Sequence, residues 1–409
     1  MRQLLADTIS GNMVGLWLLI PEHLRLGTWQ LVRGWTGQPG ERIEPRMALQ
    51  VIHEAAVCVA GVREKRTLSH KGVARLNGRP FVVADLPVHQ LLGALSVADA
   101  QRLQVALGRL RRASGHSQGT RLVIDPHRRR SDSKRQRRRH RTDDASSPTK
   151  VAQTFFVLDA ETAQPVCCTT GTAARTVSQA TPALLELARA MLQPETSGVL
   201  VLADAEHFTQ ALLDQVHQHT TFDLLVPMPL HPAVRKQLAL LPPACFMRRW
   251  AGCATATLPF PLTNAQTHPF FQFVQRLGEH PDDWTFKAFL ATADSDEADA
   301  LTRDSPKRWH IEEFFNANQA LGWHRAGTHN LNIRSGHMTM ALLAQTVIHQ
   351  RRSRLGEPAS TWEASHLAHD CFLGLDGDVR VAHTTIIVTY DNAPNVEHLR
   401  THYALLPEK

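Results

Sequence analysis

Apolar positions fall into two regimes along the chain. From the start to about residue 115 they recur at helical spacing, as in Pro21–Trp35, Pro45–Val62, Asp85–Leu92 and Ser96–Arg112. Within the second of these, Met47, Val51, Ile52, Ala55 and Val59 form one apolar face. Ser96 suits a cap for the last helix, and Gly93 suits a break before it. After residue 120 the pattern changes to short apolar runs bounded by turn residues. Arg121–Asp125 reads as a strand ending in an acid, and Thr154–Leu158 with Pro165–Thr170 reads as a hairpin. Thr181–Leu192 is a helix, Val199–Leu202 a strand followed by Asp204, His207–Gln218 a helix, and Phe222–Pro227 a strand.

A second helical stretch begins at Ser305, where Ser305 is placed to cap and Pro306 to occupy the first turn. Ile311, Phe314, Phe315 and Leu321 give it an apolar stripe. Arg308, Glu312, Asn316 and Gln319 share the opposite face. Such spacing by itself is met equally by an i,i+4 ion pair on a solvated helix. Ile333–Gln350 is a further helix, and Asp376-Gly377-Asp378 reads as a turn before the Val/Ile/Thr-rich tail Val379–Tyr390.

The order strand, hairpin, helix, strand, helix, strand, then helix predicts an α/β fold. It is an RNase H-like mixed sheet with flanking helices, a β-rich insertion before the acid-bearing helix, and a helical N-terminal domain. The expected divisions are 1–115 (helical, with a basic end able to meet DNA), 116–235 (first part of the core), 236–304 (insertion), 305–355 (acid-bearing and following helices) and 356–409. Strand candidates in the insertion are Cys253–Leu258, Phe270–Val274 and Phe286–Ala291.

Charge sharpens the picture. The 409 residues carry a formal net charge of +7, and the strongest concentration is Arg128, Arg129, Arg130, Lys134, Arg135, Arg137, Arg138, Arg139 and Arg141. A solvated loop meets that composition, and so does a strip contacting phosphates, with arginine suited to bidentate capture. Its place just after an acid-tipped strand favours the strip. The six cysteines include no Cys-x-x-Cys pair, and the 23 histidines form no His-Glu-x-x-His spacing. No apolar run is long enough to span a bilayer and the N-terminal apolar core is too short for a secretory signal, so the chain reads as cytoplasmic, and nucleoid-associated when on DNA.

Asp125, Asp204 and Glu312 stand out as acids that this element order would gather. The two strands would lie side by side with the helix across their ends. Carboxylates so gathered repel one another unless hard cations lie between them, which suits Mg²⁺ or Mn²⁺, two ions for an in-line displacement at phosphorus. Asp159 rivals Asp125 as first acid, but it falls in the hairpin turn. Glu313 rivals Glu312 but lacks the four-residue step from Arg308.

The stretch Arg308-Trp309-His310-Ile311-Glu312 resembles the Tyr-x2-Arg-x3-Glu-x6-Lys signature of the DDE insertion-sequence transposases. Ser305 stands where the family has Tyr, and Gln319 where it has Lys. The resemblance spans roughly Arg121–Gln350. It implies metal-dependent cleavage and strand transfer at element ends, with double-stranded DNA as partner, a homodimer in the synaptic complex, and DNA contacts from Arg308 and position 319. Two neighbouring readings are a repurposed transposase that only binds DNA, motivated by Ser305 and Gln319, and an RNase H-like nuclease that cuts without joining. A tyrosine recombinase is disfavoured because Tyr390 and Tyr403, the only tyrosines, have the wrong spacing from an Arg/His pair.

Overall fold

The computed structural model describes residues 8–11, 13–36, 44–58, 71–130, 139–140, 149–172, 174–193, 198–260, 270–323, 328, 330–382, 385–393 and 397. The chain divides into two compact units. One comprises Met1–Arg111, Arg129–Arg135 and Phe315–Lys409, the other Arg112–Arg128 and Gln136–Phe314.

The first unit opens with strand β1 (Ile9–Gly11) and a 3-10 turn, Val14–Leu19, whose residues are all buried. Helices α1 (Ile20–Leu26), α2 (Thr28–Thr36), α3 (Glu44–Ala56), α4 (Lys71–Leu76), α5 (Asp85–Ala94) and α6 (Val97–Ala113) follow. The single helix expected over Pro21–Trp35 is two, because Gly27 takes a left-handed φ of 63° that ends α1. Gly93 is not a break: α5 runs through it to Ala94. Ser96 does cap α6, its hydroxyl accepting from the Asp99 N–H at 3.1 Å. Residues 59–62 of the expected Pro45–Val62 helix lie outside the described residues.

The second unit holds the large sheet. Its strands are β2 (Arg121–Arg130), β3 (Arg139–His140), β4 (Thr149–Asp159) and β5 (Gln164–Thr172), then β6 (Val199–Leu202) after helix α7 (Val177–Leu192). Helix α8 (Gln210–His219) leads to β7 (Phe222–Pro227), and α9 (Pro232–Ala239) leads to β8 (Met247–Trp250), β9 (Cys253–Phe260), β10 (Phe270–Leu277) and β11 (Thr285–Ala291). Neighbours run β3-β4-β2-β6-β7-β11-β10-β9-β8, with β5 on β4. Helix α7 is set by a capping box between Thr176 and Gln179, and it tolerates Pro182 inside.

β2, β6 and β7 are parallel, and everything from β11 to β8 is antiparallel. The sheet is therefore mixed, as the RNase H-like order requires, and the strands of the insertion join its far side through β11 on β7. β6 and β7 read as apolar runs because both faces are covered: Val201, Leu202, Leu224, Leu225 and Val226 are at most 2 % exposed.

The acid-bearing segment is one helical run of changing pitch. It begins at α10 (Glu297–Asp299), capped by the Asp296 carboxylate, and passes through a π turn (Ala300–Asp304) and a 3-10 turn (Ser305–Trp309) into α11 (His310–Asn318). Ser305 is thus not the cap expected: its own backbone is helical and its N–H bonds to the Ala300 carbonyl. Pro306 sits inside the run at the start of the 3-10 turn, where the missing N–H is tolerated. Ile311, Phe314, Phe315 and Leu321 are buried, as the stripe predicts.

The remainder of the first unit is α12 (Leu331–Leu355), capped by Asn330, then α13 (Ala364–Leu367), β12 (Asp376–Ala382) and β13 (Thr385–Asn392). Seventeen of the twenty-five α12 residues are buried, so it runs through the middle of that unit. Asp376-Gly377-Asp378 is not a turn: it opens β12, which pairs with β1 and β13 and carries an irregular register at Asp376/Gly377.

Candidate functional site

β2 and β6 pair in parallel with Arg121 beside Leu200, Leu122 beside Val201 and Val123 beside Leu202. Two residues further along each strand direction stand Asp125 and Asp204. Asp125 is still on β2 and shares the face of Val123, while Asp204 lies just past the end of β6, close enough for its charge to act on Asp125. β6 ends at Leu202, so Asp204 is free to cap the 3-10 turn Ala205–His207.

Glu312, on the first turn of α11, completes the group. Its neighbour Arg308, one turn earlier, donates to Glu312 Oε1 at 3.0 Å, while Glu312 Oε2 is buried with no hydrogen-bond partner among the described residues. Glu313 faces solvent.

The acid helix is held over these strands by three contacts. Lys307 Nζ meets both Glu161 oxygens at 2.7 Å, His310 Nδ1 meets the Ala160 carbonyl at 2.8 Å, and Arg121 Nε pairs with Asp304 Oδ1 at 2.7 Å. The partners Ala160 and Glu161 lie in the β4–β5 turn, and Arg121 opens β2.

Asp125 feels the other two acids. Loss of solvation pushes Asp125 well above the usual carboxylate range. The negative charges of Asp204 and Glu312 push it the same way, against the smaller pull of Arg308 and Arg128. Asp204 ends below its usual range. Burial works to raise it, but the hydrogen bond and charge of His207, the charge of Arg308 and the Glu206 N–H together outweigh that. The His207 ring, 2 % exposed, places Nδ1 2.6 Å from Asp204 Oδ1, and the Glu206 N–H donates to the same oxygen at 3.1 Å.

Asp159, the rival first acid, is elsewhere and fully occupied. It is completely buried. Oδ2 accepts from the N–H groups of Gln118 and Gly119 at 2.7 and 2.6 Å. Oδ1 accepts from the N–H groups of Glu161 and Thr162, both at 3.0 Å, and from the Thr162 hydroxyl at 3.1 Å. It clamps the start of β2 to the β4–β5 turn, with Gly119 at a φ of +75° that permits the approach.

Of the expected DNA-contacting residues, Arg128 bonds Gln153 at 3.0 Å and also Glu206, and Arg129 bonds the Gln319 carbonyl. Arg308 lies over the ring of Trp309, which is 61 % exposed. Lys134, Arg135, Arg137, Arg138 and Arg141 lie outside the described residues, and of Arg130 and Arg139 only the strand backbone is described. Tyr403 is also outside them. Tyr390 is raised above the ordinary tyrosine range chiefly by burial, which disfavours it as a nucleophile.

The sequence singles out neither His207 nor Gln153, and it offers Glu206 only as a rival to Asp204 that comes after the strand has ended. The available signal was Asp-Ala-Glu-His, an acid and a histidine three apart at a strand end, which one 3-10 turn brings onto the same side.

As positioned, no group of three or more His, Cys, Asp or Glu side chains among the described residues closes into a metal site. The donor chemistry nevertheless suits a hard cation: Asp125 is repelled by Asp204 and Glu312, and one buried oxygen of Glu312 has no hydrogen-bond partner among the described residues. Among the described residues no helix is long and apolar enough to cross a membrane.

The sequence matches the family described as Transposase DDE domain over residues 116–347. No curated protein matches the chain by sequence. Among solved structures, a piggyBac transposase synaptic complex with hairpin DNA aligns at a TM-score of 0.40 and 11% identity, covering 86% of this chain and 79% of that one.

Proposed function

The chain belongs to the Transposase DDE domain family, and on that premise we propose that it cuts DNA at the ends of a mobile element and joins the freed ends to a new site. Asp125, Asp204 and Glu312 are the reacting centre's acids. The observation that supports this reading is that the negative charges of Asp204, just past the end of β6, and of Glu312, on the acid helix, both act on Asp125 of β2.

The three carboxylates would hold Mg²⁺ or Mn²⁺, most simply two ions. When bound, the metal activates the attacking oxygen and stabilises the leaving oxygen. In the first step water attacks phosphorus, the P–O3′ bond breaks, and a 3′-hydroxyl is released. In the second, that hydroxyl attacks a phosphodiester of the target strand, the target's own P–O3′ bond breaks, and its 3′-oxygen leaves as a hydroxyl. Arg308 neutralises Glu312 from one side and leaves Oε2 toward the site. Arg128 and Arg129, with the basic segment that follows, are placed by sequence to meet phosphate oxygens. The partners are double-stranded DNA and a second copy in the synaptic complex.

The test is cleavage and joining of DNA carrying the flanking ends of the gene, with Mg²⁺, with Mn²⁺ and with EDTA. Wild type is run beside Asp125→Asn, Asp204→Asn and Glu312→Gln. Metal-dependent joined products in wild type and none in the three variants are expected. Cutting without joining would reduce the protein to a nuclease, and end binding without cutting would leave a DNA-binding relic.

A further inference from the structure

We propose that His207 is a positioning residue: by donating from Nδ1 to Asp204 Oδ1 it turns Oδ2 toward the shared site and fixes it there as a metal ligand. The inference rests on the function proposed above and names a residue outside the acid triad on which that function depends.

The geometry is local and tight. The chain leaves β6 at Leu202, makes a single 3-10 turn over Ala205–His207, and enters α8 under the Thr209 cap. In such a turn side chains three apart eclipse, so the imidazole at 207 lies back over the carboxylate at 204. The His207 N–H also bonds to the Asp204 carbonyl at 3.1 Å, so backbone and side chain fix the same pair of residues.

A 2.6 Å contact to a carboxylate defines the tautomer: Nδ1 carries the hydrogen. Among the described residues every hydrogen bond to the Asp204 side chain falls on Oδ1, from His207 and from the Glu206 N–H. Oδ2 therefore has one preferred direction. A carboxylate that can rotate about its last bond presents a ligand only part of the time. One whose second oxygen is tied to a buried ring presents it continuously.

The measurement is Mn²⁺ affinity without DNA, read from the free-ion electron paramagnetic resonance signal. Proteins compared are wild type, Asp204→Asn, His207→Phe and His207→Asn. Phe keeps the buried ring volume without the donor. Asn places its amide nitrogen near the position of Nδ1 and restores the donor. About 10- to 100-fold weaker Mn²⁺ binding is expected for His207→Phe, with His207→Asn recovering most of it. In the cleavage assay kcat at fixed low Mn²⁺ should fall, KM for DNA should hold, and excess Mn²⁺ should restore kcat.

Unchanged Mn²⁺ affinity in His207→Phe, with wild type binding and Asp204→Asn not, would overturn the proposal and leave the triad intact. Equal losses in the Phe and Asn variants would also overturn it, because packing rather than the donated hydrogen bond would be responsible. Failure of wild type itself to bind Mn²⁺ would sink the metal reading of the triad together with this proposal.

Discussion

Asp125 and Asp159 offer a separation of stability from activity within one pair of substitutions. Replacing Asp159 with Asn converts one of its two oxygens into an N–H₂ donor. If the amide takes the Oδ2 side, the Gln118 and Gly119 N–H groups face a donor; if it takes the other, those of Glu161 and Thr162 do. Two backbone donors to this buried carboxylate lose their partner either way, at about 1–3 kcal/mol each. A cost of about 3 kcal/mol in a unit of about two hundred residues is on the order of 6–12 °C in Tm.

Asp125→Asn acts in the opposite sense. Two carboxylates about 5 Å apart would repel by about 3 kcal/mol at an effective dielectric near 20, an upper bound here because Arg308 and Arg128 offset part of the repulsion on Asp125. Without divalent cations, that substitution should leave Tm unchanged or raise it by a few degrees while abolishing cleavage. The sign with pH follows. The folded state holds the Asp125 proton more tightly than the unfolded chain, so this group's contribution is present at low pH. It is lost as pH rises from about 4 toward the raised folded value. Asp125→Asn should remove that loss. Thermal scans in EDTA from pH 4 to 8, paired with the cleavage assay, are sufficient. Strong destabilisation by Asp125→Asn, or loss of cleavage by Asp159→Asn at an unchanged Tm, would refute the assignment of roles.

Two further outcomes concern the first unit. Asn77 donates to the Val73 carbonyl, so its oxygen must accept from His53 Nδ1 at 2.6 Å. His53 Nε2 then accepts from His23, whose Nδ1 accepts from Thr28. In this arrangement both rings are neutral, and burial lowers His53 to about 4. Folding stability should fall by about 3 kcal/mol from this group as pH drops from about 6.5 to about 4, and His53→Gln should flatten that acid limb in chemical denaturation. At Gly15 an added Cβ would lie 1.8 Å from the Cys371 carbonyl oxygen and 2.8 Å from Phe372 Cα. Gly15→Ala should therefore cost about 3 kcal/mol or more, read as a lowered urea midpoint; a midpoint within error of wild type would show that the two segments can part.

The large sheet was legible because its parallel strands are buried on both faces and so appear as apolar runs, unbroken in Val199–Leu202 and interrupted by Asp223 alone in Phe222–Pro227. The acid helix was legible for the opposite reason: its stripe of Ile311, Phe314, Phe315 and Leu321 is one-sided. Its start was not. Ser305-Pro306 carries the same local signal whether a helix begins there or merely tightens its pitch, and the true cap, Asp296, lies nine residues earlier. The distinction between Asp125 and Asp159 was argued from topology alone. Its physical basis, five donors converging on Asp159, depends on Gln118 and Gly119, some forty positions away. His207 was missed because a histidine gains its meaning here from a single turn that propensities do not specify.

The sheet ends at β8, and among the described residues that edge has no partner. Met247 is 59 % exposed and Trp250 50 %, a combination that invites another strand to dock and chains to stack. Arg248, also solvent-facing, and the register slip between Arg248 and Trp250 oppose this, since charge and a broken ladder make a poor template. In a concentrated solution, Arg248 and the register slip are thus what stands between this edge, at the end of the sheet remote from β3, and strand addition by a second chain.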